Sequence, residues 1–185
     1  MEDAPFYRTS GGGITLSGGE PMAQHVFAIA LAKAAKEQHL HVAMETSGYC
    51  DAHHLMAIHP YVDLFLYDYK LTDDETHRKY TGVDQQRILE NLHRLDDNGA
   101  AIVLRCPMIP GVNVNAEHEA GIIRLAASLQ HVQQIHLEPY HNIGLSKRQR
   151  LGMTGSDAFE IPEKEKLREM ASRIAAATGI ETLVM

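Results

Sequence analysis

The chain contains no tryptophan, only four phenylalanines and only two cysteines, Cys50 and Cys106, in 185 residues. Two cysteines far apart in sequence build no disulfide framework and match no C-x-x-C metal spacing. They read as buried or half-buried thiols of a reducing compartment. No apolar run approaches the ~20 residues of a membrane-spanning helix. No basic stretch followed by an apolar core marks a secretory signal at the N-terminus. Positive charge is not in surplus either. The 24 acidic and 17 basic residues leave a net charge of −7, which argues against broad nucleic-acid binding. These absences point to a cytoplasmic protein with neither membrane nor nucleic acid as partner. Twelve histidines are present, but His53, His54 and His59 have no H-x-x-x-H spacing and no acid partner, and read as a solvated helix face. Hydrophobic and charged residues at 44% and 22% fit one globular domain, 1–185, with a sizeable core.

Short runs rich in Val, Ile, Leu and Phe recur at 14–17, 41–46, 63–68, 101–106, 133–138 and 181–184. Between them the apolar spacing turns helical. Residues 21–38 place Val26, Ile29, Ala30 and Ala34 on one face. Residues 84–98 do the same with Ile88, Leu92 and Leu95, and Asn98-Gly99 supplies a stop. Residues 116–130 present Ile122, Leu125 and Leu129 behind an N-cap at Asn115. Residues 163–178 follow Pro162, which suits a helix start. Asp73, Asp74 and Glu75 read as the first turn of a further short helix. Strand and helix in alternation predict βαβ units and a parallel sheet. Both an open doubly wound sheet and a barrel fit, and in either one ligand chemistry collects at the C-terminal ends of the strands.

Those ends are polar throughout. Ser17-Gly18-Gly19-Glu20 follows the first run and Glu45-Thr46-Ser47-Gly48 ends the second. Asp68-Tyr69-Lys70 closes the third, the fourth carries Arg105, and the fifth ends in Glu138-Pro139-Tyr140-His141. Glu20 and Glu45 can hold an ammonium by charge-assisted hydrogen bonds. Gly18 and Gly19 let a ligand approach bare backbone. Lys70 and Arg105 can hold a carboxylate. Asp68 can orient Lys70 or accept from a hydroxyl, and His141 can donate to a polar ring. An ammonium site beside a carboxylate site describes an amino acid, with room for a larger appendage such as a nucleoside. The glycine loop is neither G-x-x-x-x-G-K-[ST] nor a G-x-G-x-x-G opening a helix, and Glu20 stands where it would repel a phosphate. The long segment 142–161, with Lys147, Arg148 and Arg150, reads as a solvated loop or as a contact surface for a protein partner.

Taken together, SGGGITLSGGEPMAQ (Ser10–Gln24), METSGY (Met44–Tyr49), LYDYK (Leu66–Lys70), LRCPMIPG (Leu104–Gly111) and LEPYHNIG (Leu137–Gly144) resemble the radical S-adenosylmethionine superfamily. Within it they are most similar to the glycyl-radical enzyme activating enzymes of the pyruvate formate-lyase activase type. The resemblance covers nearly the whole chain. It implies an α/β fold, a partial (β/α)6 TIM-like barrel. It also implies that Gly18, Gly19 and Glu20 bind the amino group of S-adenosylmethionine, with Glu45, Ser47, Asp68, Tyr69, Lys70, Arg105 and His141 around the rest. The implied reaction is reductive cleavage of S-adenosylmethionine at a 4Fe-4S cluster. The resulting 5′-deoxyadenosyl radical takes a hydrogen from a glycine of a partner glycyl-radical enzyme, of formate-lyase or dehydratase type. A flavodoxin-like protein supplies the electron. The family's C-x-x-x-C-x-x-C is not in this sequence, and Cys50 and Cys106 cannot replace it. The expectation is therefore a C-terminal major part of the barrel, without its first strand and cluster loop, binding no cluster and inactive alone. Its exposed sheet edge invites a homodimer. Two alternatives stay open: a non-catalytic short form that binds S-adenosylmethionine or docks on the partner, and a radical enzyme acting on a small molecule.

Overall fold

In the computed structural model, which describes residues 7, 12–141 and 159–185, six strands form one sheet. They are β1 (Gly13–Leu16), β2 (His41–Thr46), β3 (Leu64–Asp68), β4 (Ile102–Met108), β5 (Val132–Pro139) and β6 (Glu181–Val184). Each pairs in parallel with its neighbours in chain order. The connections carry α1 (His25–Glu37), α2 (Ala52–Ile58), α3 (Asp74–Thr81), α4 (Gln86–Asp97), α5 (Ala116–Ala127) and α6 (Lys164–Thr178). A doubly wound sheet needs a point where the strand order reverses. There is none here, so right-handed crossovers keep every helix on one face and bend the sheet toward a barrel. β1 and β6 do not pair, and the barrel stays partial.

Side chains alternate between the two faces with the period of two that a strand imposes. Val42, Met44, Phe65, Tyr67, Leu104, Cys106, Met108, Ile135 and Leu137 point toward the helices and are fully buried. Ala43, Glu45, Leu66, Asp68, Arg105 and Glu138 point to the concave face and stay half-buried. The helix-facing set joins Ile88, Leu92 and Leu95 of α4, Ile122 and Leu125 of α5, and Leu167, Met170 and Ile174 of α6 in one core. Truncating any of the fully buried leucines to alanine would cost about 2–5 kcal/mol.

Helix starts are chemically marked. The Asp51 carboxylate accepts from His53 N, Asp73 from Thr76 N and Asn115 from His118 N. Pro162 stands just before the N-cap, Glu163, rather than inside the first turn. One expected face is wrong. In α1 the buried stripe is Ala28, Ala32 and Ala35, whereas Val26 and Phe27 are 74% and 64% exposed and Ala30 and Ala34 are exposed as well. Small alanines let the helix lie close on β1 and β2, and the bulkier Val26 and Phe27 are turned away from the sheet. The first helical turn also winds as a 3-10 helix, Pro21–Gln24, before α1 begins.

Candidate functional site

The loops at the C-terminal ends of β1 to β5 meet on one rim. Two hydrogen-bonded clusters occupy it. The first centres on Glu20, whose carboxylate accepts four hydrogen bonds. Met22 N (3.2 Å) and Thr46 Oγ1 (2.8 Å) donate to Oε1. Ser47 N (2.9 Å) and Ser47 Oγ (2.7 Å) donate to Oε2. A carboxylate has about four lone-pair sites, so Glu20 is filled by the protein's own donors and ties the glycine loop after β1 to the loop after β2. Gly18, at φ 121°, and Gly19 are exposed beside it. That φ is open to glycine and strained for other residues.

The second cluster centres on Arg105. Its Nε and Nη2 donate to Glu138 Oε1 (2.6 Å) and Oε2 (3.1 Å), a bidentate pair. Its Nη1 lies 2.9 Å from Glu45 Oε1, and Asp68 Oδ1 is 3.8 Å from Nε. Lys70 Nζ bonds Asp68 Oδ2 at 2.8 Å, and Ser17 Oγ donates to Glu45 Oε2 at 2.6 Å. Burial by itself would weaken the guanidinium's hold on its proton. The bonds to Glu138, with the charges of Glu138, Asp68 and Glu45, outweigh it and leave Arg105 above its ordinary range. Register places these groups together: Asp68 and Arg105 are direct cross-strand partners, and Glu138 lies two residues beyond Arg105's partner on β5, His136, on the same face.

Of the residues read from the sequence, Gly18, Gly19, Glu20, Glu45, Ser47, Asp68, Lys70 and Arg105 come to this rim. Arg105, expected to face a ligand carboxylate, is already engaged by three carboxylates. Among the described residues of the rim, Lys70 uses one of its three donors on Asp68 and has capacity to spare. Tyr69 does not join them. Strand alternation sends it to the helix side, 6% exposed, with its hydroxyl donating to Thr72 Oγ1 at 3.1 Å. His141 lies exposed just past the end of β5. Lys147, Arg148 and Arg150 lie outside the described residues. Thr46 and Glu138 stand in the strand-end segments read from the sequence but were given no role there; Glu138 shares the concave-face register of Arg105's partner His136, and Thr46, 3% exposed, lies on the helix side of β2. Asn113, 2% exposed, was also missed; its Nδ2 donates to Lys70 O (2.8 Å) and Pro107 O (2.6 Å) and fixes the loop that carries Lys70.

The two cysteines do not fit an iron–sulfur cluster. Cys106 is fully buried on β4 and Cys50 half-buried after β2. Burial, aided by the Glu20 and Asp51 charges, pushes the Cys50 thiol up to about 12, and burial raises Cys106 as well. Cluster ligands are thiolates.

A parallel, partly closed (β/α) barrel with a glycine–glycine–acid loop on its strand-end rim is the scaffold of radical S-adenosylmethionine proteins, and this chain belongs to the Radical SAM superfamily, which residues 4–121 match. Its relatives are narrower in kind. It is 46% identical over 148 residues to the isethionate sulfite-lyase activating enzyme of Oleidesulfovibrio alaskensis, covering 79% of this chain and 47% of that protein. It is 37% identical over 187 residues to the trans-4-hydroxy-L-proline dehydratase activating enzyme of Clostridioides difficile, covering 99% of this chain and 61% of that one. Among solved structures it is similar to a domain of pyruvate-formate lyase-activating enzyme from Bacteroides vulgatus, with a TM-score of 0.79 and 26% identity over 94% of this chain and 99% of that one. The chain thus spans about half the length of the curated relatives it matches.

Proposed function

We propose that this chain is the S-adenosylmethionine-binding part of a glycyl-radical enzyme activating enzyme. The observation that carries the reading is the convergence of five strand ends on one rim that offers open glycine backbone at Gly18-Gly19 beside a partly free ammonium at Lys70. With Glu20 filled by Thr46, Ser47 and Met22, its part is to brace the glycine loop. The ligand's ammonium then falls to main-chain carbonyls of that loop and to the Glu45 side of the Arg105 cluster. Lys70, oriented by Asp68, takes the ligand carboxylate with its remaining hydrogens. Arg105 holds Glu45, Asp68 and Glu138 in place, and their surplus of negative charge favours a cationic sulfonium nearby. Ser17 and His141 supply polar contacts at the two sides of the rim. S-adenosylmethionine, when bound, supplies the deoxyadenosyl group of the family's radical chemistry. The electron for that chemistry needs a cluster that Cys50 and Cys106 do not hold, so no step through it is assigned to these residues.

The partner on this reading is a glycyl-radical enzyme, the electron donor a flavodoxin-like protein and the compartment the cytoplasm. The edge of β1 that no other described strand pairs with, flanked by exposed Phe27 and Leu31, suits pairing with a second copy. Calorimetric titration of the chain with S-adenosylmethionine tests the core claim. Saturable binding is expected, weakened at least tenfold or so by Lys70→Met, in line with the loss of one charge-assisted bond. No detectable binding, or a Lys70→Met variant that binds like wild type, would reject the assignment.

A further inference from the structure

We propose that Asn91 is a positioning residue for the S-adenosylmethionine site, an assignment that rests on the function proposed above. Asn91 lies in the apolar stripe of α4 with Ile88, Leu92 and Leu95, and it is 1% exposed. An amide costs free energy at such a position unless it is hydrogen-bonded. Here Nδ2 spends both hydrogens on the loop after β2, donating to Gly48 O at 2.8 Å and Cys50 O at 3.0 Å. One turn earlier, Ile88 O accepts from Tyr67 Oη at 2.6 Å. That hydroxyl lies hard against Gly48, where an added Cβ would come within 1.6 Å of it. The Gly48 turn is therefore gripped by α4 through Asn91 and backed by β3 through Tyr67.

The grip passes on to the rim. Gly48 N donates to Thr46 Oγ1 at 2.9 Å, which commits the hydroxyl's own hydrogen to Glu20 Oε1. Ser47, between them, gives both its amide and its hydroxyl to Glu20 Oε2. Three of the four donors that fill Glu20 thus belong to the short segment that Asn91 holds, and Glu20 in turn braces Gly18-Gly19. Loss of the amide would strand two carbonyls and free a glycine held at φ 72°. The donors to Glu20 would then lose their fixed geometry while the strands and helices stay paired.

The test compares Asn91→Ala and Asn91→Leu with Leu92→Ala, a core truncation on the same helix face, in the full chain. Thermal melting, deuterium uptake of peptides covering residues 44–51, and calorimetric affinity for S-adenosylmethionine are measured on each. Both Asn91 variants are expected to speed exchange in 44–51 and to weaken binding by about tenfold or more beyond Leu92→Ala, the loss expected of a buried hydrogen-bonded clasp. Asn91→Leu keeps the apolar packing and decides the matter if Asn91→Ala fails to fold. Asn91 variants that bind with wild-type affinity, or that follow Leu92→Ala in both exchange and affinity at equal melting temperature, would overturn the assignment. A wild-type chain that binds no S-adenosylmethionine would remove the proposed function itself, and this assignment with it.

Discussion

Acid should destabilise this protein in large part through one histidine. His118, in the first turn of α5, is 2% exposed and stacks on Tyr69 with ring centroids 5.5 Å apart. Thr72 Oγ1 accepts from Tyr69 Oη and lies 2.9 Å from His118 Nδ1, within hydrogen-bond reach. The other ring nitrogen, Nε2, is buried without a hydrogen-bond partner among the described residues. Burial makes a second proton unwelcome and holds the imidazole down at about 4, against an ordinary 6.5. The sign follows from linkage. Below pH ~6.5 the unfolded chain takes up a proton that the folded chain refuses, so stability falls with pH until the folded pKa is passed, and the slope then vanishes. The gap corresponds to about 3 kcal/mol in full, of which about 2 kcal/mol is lost by pH 5. That is a large share of a typical total of about 5–15 kcal/mol. Urea unfolding at pH 7.5, 6 and 5 measures it, with His118→Gln as reference. His59 and His136 are also held low by burial, but they titrate in both proteins and cancel in the difference. Wild type should lose about 2 kcal/mol more than His118→Gln between pH 7.5 and 5. Parallel curves for the two proteins would refute the argument.

Arg105→Met leaves Glu45, Asp68 and Glu138 together with Lys70 alone, among the described residues, paired to them. The variant should lose about 2–4 kcal/mol in denaturant unfolding and recover part of it in high salt, which screens the carboxylates from one another; wild-type stability at low salt would contradict the cluster's role. Gly48→Ala places a Cβ 1.6 Å from Tyr67 Oη and 2.2 Å from Cζ at φ 72°. It should therefore cost about 3 kcal/mol or more. Adding Tyr67→Phe should restore little, because Cζ remains. A single variant that melts within about 2 °C of wild type would show that the loop relocates freely.

Much of this molecule is written locally. The parallel sheet was legible because most strands are short apolar runs and the helices between them carry their own period, some with a side-chain cap as at Asn115 and Asp73. Most rim residues were legible because strand C-termini in such folds collect polar groups wherever the chain emerges, and Glu45, Asp68, Lys70 and Arg105 all sit at that point. The stripe of α1 was misread because apolarity alone does not say which flank meets the sheet. Close approach there favours alanine over valine and phenylalanine.

The division of roles at the rim is a property of the tertiary structure. Sequence presents Glu20 and Arg105 as an acid and a base open to a ligand. Folding gives Glu20 four internal donors and Arg105 three carboxylate neighbours, so that one braces a loop and the other holds a cluster. The same holds for Asn91, which in sequence interrupts an apolar stripe and in space clasps the Gly48 turn. Alternation sends Tyr69 away from the rim while its neighbours Asp68 and Lys70 stay on it. Residue type and spacing determine which groups reach the end of a strand, because those depend on covalent order and backbone period. Which lone pairs and hydrogens remain free there depends on partners about 25 to 60 residues away, roughly one or two βαβ units, and only the packing of the sheet brings those partners within hydrogen-bond reach.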